Sequence, residues 1–178
     1  MQLPILKGQQ ITVRRLKRSD CESLYKHLKD QKVLRFLVSV PNPYRRKYSR
    51  PWVNWTHRAA RADTDYHFGI EHNLEHEIIG GISLSTINHV HHKAELGYWL
   101  AHRHWRKGYM YEAVGLVCDF GFNQLQLHRI YAHVMNINRA SAALLEKHGF
   151  IREGILRKSI RHNNRWHDMY VFAKLRGE

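Results

Sequence analysis

Two neighbouring stretches decide the fold: ELGYWL at residues 95–100 and WRKGYMYEA at residues 105–113. The first alternates apolar positions as a half-buried strand does. The second passes through a basic loop and opens a helix at Gly108. Backbone N–H groups at a helix start are unsatisfied, and the helix dipole favours an anion there. A glycine also lets the backbone approach phosphates closely. The pattern predicts a pyrophosphate-binding turn or, alternatively, an ordinary strand–helix turn with a solvated basic loop.

Size and composition favour one soluble α/β domain over residues 1–178. Apolar residues make up 43% of the chain and charged residues 25%, which are globular values. No apolar run approaches the roughly 20 residues of a membrane span, and the N-terminus lacks the features of a signal peptide. Cys21 and Cys118 fall on predicted helices and are interpreted as reduced thiols. These features predict a cytoplasmic protein.

The charge balance is strongly basic. Lys and Arg number 29 against 15 Asp and Glu, giving a formal net charge of +14. Such a protein is attracted to nucleic acid, ribosomes, anionic membranes or acidic ligands. A generally basic proteome would produce the same balance, so charge alone specifies no partner.

The rest of the chain alternates predicted strands and helices without regular βαβ units, which excludes a doubly wound dinucleotide fold. Ser19 is predicted to cap the first helix, and Gly80-Gly81 to break a strand. The proline-containing segment 41–50 is predicted to be a loop bordering a substrate site. The predicted strands are 11–16, 66–70, 78–85, 94–101, 129–135 and 169–175, and the predicted helices are 19–30, 51–62, 108–122 and 139–148.

The stretch around Gly108 resembles the cofactor motif of the GNAT N-acetyltransferases, and more closely that of the RimJ/RimL type. That motif has Gln, Arg or Trp, two residues, Gly, one residue, and Gly or Ala. Segments 12–20, 138–150 and 153–168 match the same type in the same order, so the resemblance covers roughly residues 10–175. Met110 departs from the motif, and its larger side chain could crowd the cofactor or point into the core.

The resemblance implies a GNAT-like acyl-CoA N-acyltransferase fold, whose central mixed β-sheet is splayed at the acetyl-CoA site. The 95–100 strand would part from its neighbour there at a bulge. The pantetheine arm would add to the exposed edge of the 95–100 strand like an extra strand. Asn138 would bind the pantetheine from the following helix. The implied cofactor-binding residues are Tyr98, Trp99, Leu100, Arg103, Arg106, Lys107, Gly108, Tyr109, Met110 and Asn138.

Two residues are candidates for catalysis. The Ser141 hydroxyl would give a proton or a hydrogen bond to the leaving CoA thiolate, although a residue in a first helical turn could instead only support capping. Glu95, at the mouth of the splayed strand, would accept the proton of the amine, or would be a structural carboxylate paired with an arginine. Glu112 is expected to be structural.

Histidines cluster at His89, His91 and His92 and again at His102 and His104. No cysteine or acidic residue stands at a recognisable metal-ligand spacing from them. We expect them to lie in solvated loops and to bind no metal.

The leading functional prediction is transfer of acetyl from acetyl-CoA to a protein N-terminal α-amine, for example that of a ribosomal protein. A small amine, such as a polyamine or an antibiotic, is the enzymatic alternative, although a charge of +14 should repel polycations. An inactive acetyltransferase fold that binds RNA or the ribosome is the alternative from another class, and Trp52, Trp55, Trp105 and the arginines around residues 45–61 would support it. The chain is expected to be a monomer or homodimer.

Overall fold

The computed structural model describes residues 3–178. The strands are β1 (Leu6–Lys7), β2 (Ile11–Arg15), β3 (Tyr66–His72), β4 (Ile78–Asn88), β5 (Lys93–Leu100), β6 (Arg129–Met135), β7 (Ile151–His162) and β8 (Arg165–Leu175). The helices are α1 (Cys21–Leu28), α2 (Gln31–Leu34), α3 (Ser49–Arg61), α4 (Tyr109–Asp119) and α5 (Arg139–Lys147). A π-helical turn, Phe120–Gln124, continues α4. The strands form one mixed sheet in the order β1-β2-β3-β4-β5-β6-β8-β7.

The sheet opens between its two central strands. β5 and β6 run parallel and pair only from Lys93–Arg129 to Glu95–Tyr131. Beyond that point β5 stays paired with β4 as far as Leu100, and β6 stays paired with β8 as far as Met135. The two strands therefore diverge into a gap, which confirms the predicted splayed mixed sheet. The bulge expected within residues 95–100 is wrong, because β4 and β5 pair without a shift from Gly80–Leu100 to Ser85–Glu95. Their register shifts only between Ser85 and Asn88.

A hydrophobic cluster covers each face of the sheet. The larger cluster joins the sheet to α4 and α5 and includes Ala94 and Leu96 of β5, with Tyr98 packed against it. The smaller joins the sheet to α1 and α3, and Trp99 packs against it. Because side chains alternate along a strand, neighbouring residues of β5 face opposite sides of the molecule.

The predicted Ser19 cap is wrong. A 3₁₀ turn, Arg18–Asp20, precedes α1, and the Asp20 carboxylate accepts the Lys17 N–H at 2.6 Å. Asp20 also pairs with the buried Arg14 guanidinium at 2.9 Å. A buried cation needs such a partner, so the carboxylate rather than the hydroxyl organises this turn.

The predicted break at Gly80-Gly81 is also wrong, because β4 runs through both glycines. A methyl group at Gly80 would lie 2.6 Å from the Trp99 carbonyl oxygen, and one at Gly81 would lie 2.5 Å from the Trp99 indole nitrogen. The glycines therefore let β5 and the Trp99 side chain approach β4 closely.

A further difference concerns the first predicted helix. The predicted 19–30 helix ends at Leu28, and the Asp30 carboxylate caps the separate short helix α2 through the Lys32 N–H at 2.9 Å. Among residues 3–178, no helix combines the length and apolar character needed to cross a membrane.

Candidate active site

The gap between β5 and β6 opens into a cavity of about 1080 Å³. The two diverging strands, the start of α4 and the exposed side of α5 form its walls. The end of α2 and the chain after it add an apolar surface formed by Val33, Phe36, Leu37 and Val38. Most of the predicted site residues line this cavity, although they come from three separate segments.

One end of the cavity is suited to an anion. Gly108 is the N-cap of α4 and has φ +86, and Arg106 before it has φ +62. This left-handed turn reverses the chain so that the start of α4 faces the cavity, and both residues line it. The helix dipole and the Arg106 guanidinium favour negative charge at the same place.

The other two basic residues predicted here lie elsewhere. Arg103 is paired with Glu75 at 3.0 Å and with Glu77 at 2.5 Å. Lys107 is exposed and does not line the cavity. Neither of them touches the space in front of α4.

The edge of β5 forms one side of the gap. Tyr98, Trp99 and Leu100 all lie beyond the last β5–β6 pair and line the cavity. The Leu100 carbonyl already accepts the Trp105 indole N–H at 2.8 Å. The Ala101 N–H donates to the Ile79 carbonyl of β4 at 2.8 Å, in the same register that pairs Trp99 with Gly81. Backbone groups of alternate residues point to opposite edges of a strand, so those of Trp99 face β4 and those of Tyr98 face the gap. Tyr98 therefore contributes the backbone groups of this edge that are most available to an extended ligand.

Asn138 begins α5 opposite that edge. Its side-chain oxygen accepts the Ser141 N–H at 3.3 Å, so the residue is the N-cap of the helix. This bond occupies the amide oxygen and leaves the amide N–H₂ as the donor that Asn138 presents to the cavity.

Two hydroxyl groups of the cavity lining, one on β5 and one on α5, lie within hydrogen-bond distance of each other. Ser141 Oγ on α5 lies 2.7 Å from the Tyr98 hydroxyl on β5. Burial raises the pKa of Tyr98 to about 12, against the lowering effect of its bond to Ser141. The Tyr98 phenol is therefore protonated at neutral pH. The pair can supply a hydrogen bond or a proton to a group in the gap.

A carboxylate and an imidazole meet on the other face of the sheet. Glu95 Oε1 lies 2.8 Å from His133 Nδ1. His133 lines the cavity, whereas Glu95 does not. The partner of Glu95 is thus a histidine, not the arginine considered from the sequence. The sequence reasoning missed His133, because its position depends on the pairing of β5 with β6.

Comparison with known proteins identifies this arrangement. Residues 10–151 match the model of the acetyltransferase (GNAT) domain. The chain belongs to the GNAT acetyltransferase family. GNAT acetyltransferases use acetyl-CoA as the acetyl donor, and the chain is an N-acetyltransferase.

This GNAT protein is similar to enzymes named for two different acceptors, as well as to one whose name gives no acceptor. It is 37% identical to "Probable N-acetyltransferase YjcK" of Bacillus subtilis, over 96% of this chain and 97% of that protein. It is 30% identical to the [ribosomal protein uS5]-alanine N-acetyltransferase of Escherichia coli, over 68% of this chain and 61% of that protein. The crystal structure of spermidine N-acetyltransferase from Vibrio cholerae with CoA and spermine superposes with a TM-score of 0.82 at 26% identity, covering 94% and 96% of the two chains.

Met110, the departure from the GNAT motif, points mainly into the core. Its side chain is 9% exposed and belongs to the large hydrophobic cluster, although it also reaches the cavity wall. Tyr109 is likewise buried, and its hydroxyl lies 3.0 Å from His72 Nε2. Glu112 is structural as expected, because its carboxylate accepts backbone N–H groups of Gln9 and Gln10.

The prediction that all the clustered histidines are solvated is wrong for His104. Its side chain is 2% exposed, and its ring lies 5.7 Å from that of His72 and 6.5 Å from that of His27. Burial lowers the pKa of His104 to about 4. The other four, His89, His91, His92 and His102, are exposed. No group of residues within 3–178 is arranged to hold a metal ion.

Proposed function

We propose that this GNAT enzyme acetylates the N-terminal α-amine of a protein, in the manner of a ribosomal-protein acetyltransferase, as one cytoplasmic domain. The choice of acceptor class rests on the charge of the cavity lining. Its lining includes four cationic residues, Arg35, Arg106, Arg139 and Lys147, and no aspartate or glutamate. A polyamine bears several positive charges and needs carboxylates to replace its water. A protein N-terminal α-amine bears one positive charge, which is lost when the amine becomes neutral.

The ordinary pKa of the acceptor supports the same choice. An α-amine titrates at about 7.7–8.0 and a lysine amine at about 10.4, so the α-amine is neutral a few hundred times more often near pH 7. Only the neutral amine attacks a thioester. The apolar surface formed by Val33, Phe36, Leu37 and Val38 suits the first side chain of a peptide.

Acetyl-CoA is assigned to the remaining surfaces of the gap. The pyrophosphate lies against Arg106 and the backbone of Gly108 and Tyr109. The pantetheine runs along Tyr98 and Trp99 and accepts a hydrogen bond from the Asn138 amide. Arg103 and Lys107 contribute only long-range positive charge.

Ser141 is assigned to the leaving group. The amine nitrogen attacks the acetyl carbonyl carbon, a C–N bond forms, and the C–S bond to CoA breaks. The Ser141 hydroxyl, backed by the Tyr98 phenol, stabilises the thiolate and returns a proton to it. Backbone N–H groups of β5 stabilise the oxyanion, and no covalent enzyme intermediate is needed.

The test is a comparison of acceptors with the purified protein and acetyl-CoA. Peptides with a free N-terminus are assayed beside the same peptides with a blocked N-terminus and an internal lysine, and beside spermidine and an aminoglycoside. We expect acetylation of the free α-amine only. Faster acetylation of spermidine or the aminoglycoside would establish the small-amine alternative instead.

RNA or ribosome association is a second candidate function, and the far end of the β7–β8 hairpin favours it. Arg157, Lys158, Arg161 and Arg165 are exposed there, and the Trp166 side chain is 61% exposed. Cationic side chains beside an aromatic ring suit a nucleic-acid backbone and base. Ribosomal RNA binding should weaken steeply with salt, and Arg161→Glu with Arg165→Glu should abolish it without changing acetylation of a free peptide. Unchanged RNA binding by that variant would exclude the hairpin.

A further inference from the structure

We propose that His133 accepts the proton of the incoming amine and that Glu95 positions its imidazole. Glu95 occupies Nδ1 at 2.8 Å, which leaves Nε2 as the nitrogen that can face an acceptor. The two side chains are 31% and 32% exposed, so a proton taken from the amine can pass to solvent. The proposal rests on acetyl transfer to an amine and on no particular acceptor.

The sheet places His133 where the reaction must occur. The last β5–β6 pair is Glu95–Tyr131, and His133 is the next residue of β6 on the same face. It therefore stands at the point where the gap opens. From there its imidazole reaches back across the opening to Glu95, and this contact fixes the direction of the ring.

The proton acceptor and the proton donor lie on opposite faces of the sheet. Ile130, Ala132 and Val134 belong to the large cluster beneath α4 and α5, so His133 faces the other side. Tyr98 packs against the large cluster and bonds Ser141 on α5. A thioester held in the gap would have its sulfur near Ser141 and its carbonyl carbon open to an amine from the α1–α3 side.

An imidazole suits this step better than a carboxylate. A histidine side chain titrates at about 6.5 and a glutamate at about 4.3, whereas an α-ammonium titrates near 8. Proton transfer from the ammonium to an imidazole is therefore less unfavourable than transfer to a carboxylate by about two pKa units.

The proton balance is complete without any other reagent. The ammonium gives its first proton to Nε2 of His133, and the freed electron pair of nitrogen forms the C–N bond. When the C–S bond breaks, the sulfur takes a proton from the Ser141 hydroxyl. The second proton of the nitrogen passes through solvent to restore that hydroxyl. The imidazolium releases its proton to solvent.

The test compares pH–rate profiles of the wild type, His133→Gln, Glu95→Gln and the control His91→Gln. His91 is an exposed histidine on the β4–β5 turn, outside the cavity. Each profile is measured on whichever amine the wild type acetylates fastest, so an error in the acceptor class leaves the comparison intact. Acetyl-CoA affinity and thermal unfolding are measured for each variant.

We expect His133→Gln to lower kcat by about 100-fold or more and to remove the acid limb of the profile, because general bases contribute about 10²–10⁴-fold. Glu95→Gln should keep the acid limb and lower kcat by a smaller factor, because it removes the contact that positions the ring and not the base itself. His91→Gln should match the wild type. Added imidazole should partly restore His133→Ala.

Two results would overturn the proposal. One is a His133→Gln enzyme with unchanged acid limb and kcat within about threefold of the wild type, a loss far below that of a general base. The other is loss of the acid limb in Glu95→Gln alone, which would make Glu95 the base. If His133→Gln fails to fold, retention or loss of the acid limb in Glu95→Gln decides between the two residues.

Discussion

Replacing Gly108 by alanine tests the anion-binding turn, and the structure sets the size of the effect. Gly108 has φ +86, where an alanine is strained by about 1–2 kcal/mol. An added methyl would meet no protein atom closer than Gln10 Nε2 at 3.9 Å. The cost of the substitution is therefore conformational and not a clash within the protein. Strain of this size, relieved when the turn leaves its binding shape, weakens acetyl-CoA binding by about 5- to 30-fold.

Gly149→Ala is the matched control. Gly149 has φ +79, and its added methyl would lie 3.7 Å from the flexible Lys174 ammonium. The same strain therefore acts at the end of α5, outside the cavity lining. We expect it to lower the melting temperature by about 2–8 °C, at roughly 2–4 °C per kcal/mol for this chain length. Acetyl-CoA affinity should stay unchanged.

The assay is calorimetric titration with acetyl-CoA at moderate salt, together with thermal unfolding of both variants. An acetyl-CoA affinity of Gly108→Ala equal to that of the wild type would refute the placement of the pyrophosphate at this turn. Equal weakening in both variants would show that strain acts through general stability.

Three further predictions concern single side chains. Ser141→Ala should lower kcat while acetyl-CoA affinity stays near that of the wild type, and collapse of binding with unchanged turnover would exclude the proton-donor role. Met110→Ala should destabilise the fold by about 2–5 kcal/mol, as for a buried methionine, and should not tighten acetyl-CoA binding in calorimetry; tighter binding would show that Met110 crowds the cofactor. Because burial lowers the pKa of His104 from 6.5 to about 4, the unfolded chain binds its proton first as pH falls, so the free energy of unfolding should decrease between about pH 6.5 and 4. Denaturant titrations should show a smaller decrease in His104→Phe, and an equal one would assign the effect to other groups.

Local patterns predicted most elements of the fold. Period-two alternation located β6 at its observed bounds and β2 within one residue, and Gly149 ended α5 as expected. These signals depend on residues close in sequence. The gap itself was predicted through the family resemblance, since nothing in either strand alone states that β5 and β6 part after three pairs.

The errors share a long-range cause. His104 is buried because His27 and His72 pack around it, and Asp20 replaces Ser19 at the turn because Arg14 needs a carboxylate. His133 became a candidate only when Glu95 was found beside it, 38 positions away in sequence. Contacts of this kind depend on which strands become neighbours, and local periodicity does not encode that choice.

The parting of β5 and β6 has a consequence for hydrogen exchange. It creates two unpaired strand edges in the middle of the sheet, where most proteins keep every amide paired. Residues 97–100 and 132–135 should therefore contain amides that exchange quickly, although β3 and β4 beside them are buried and should exchange slowly. A pantetheine arm lying in the gap would form hydrogen bonds with these edges, as an additional strand does. Its residence should be visible as protection of the Tyr98 amide, which faces the gap, while β3 stays unchanged.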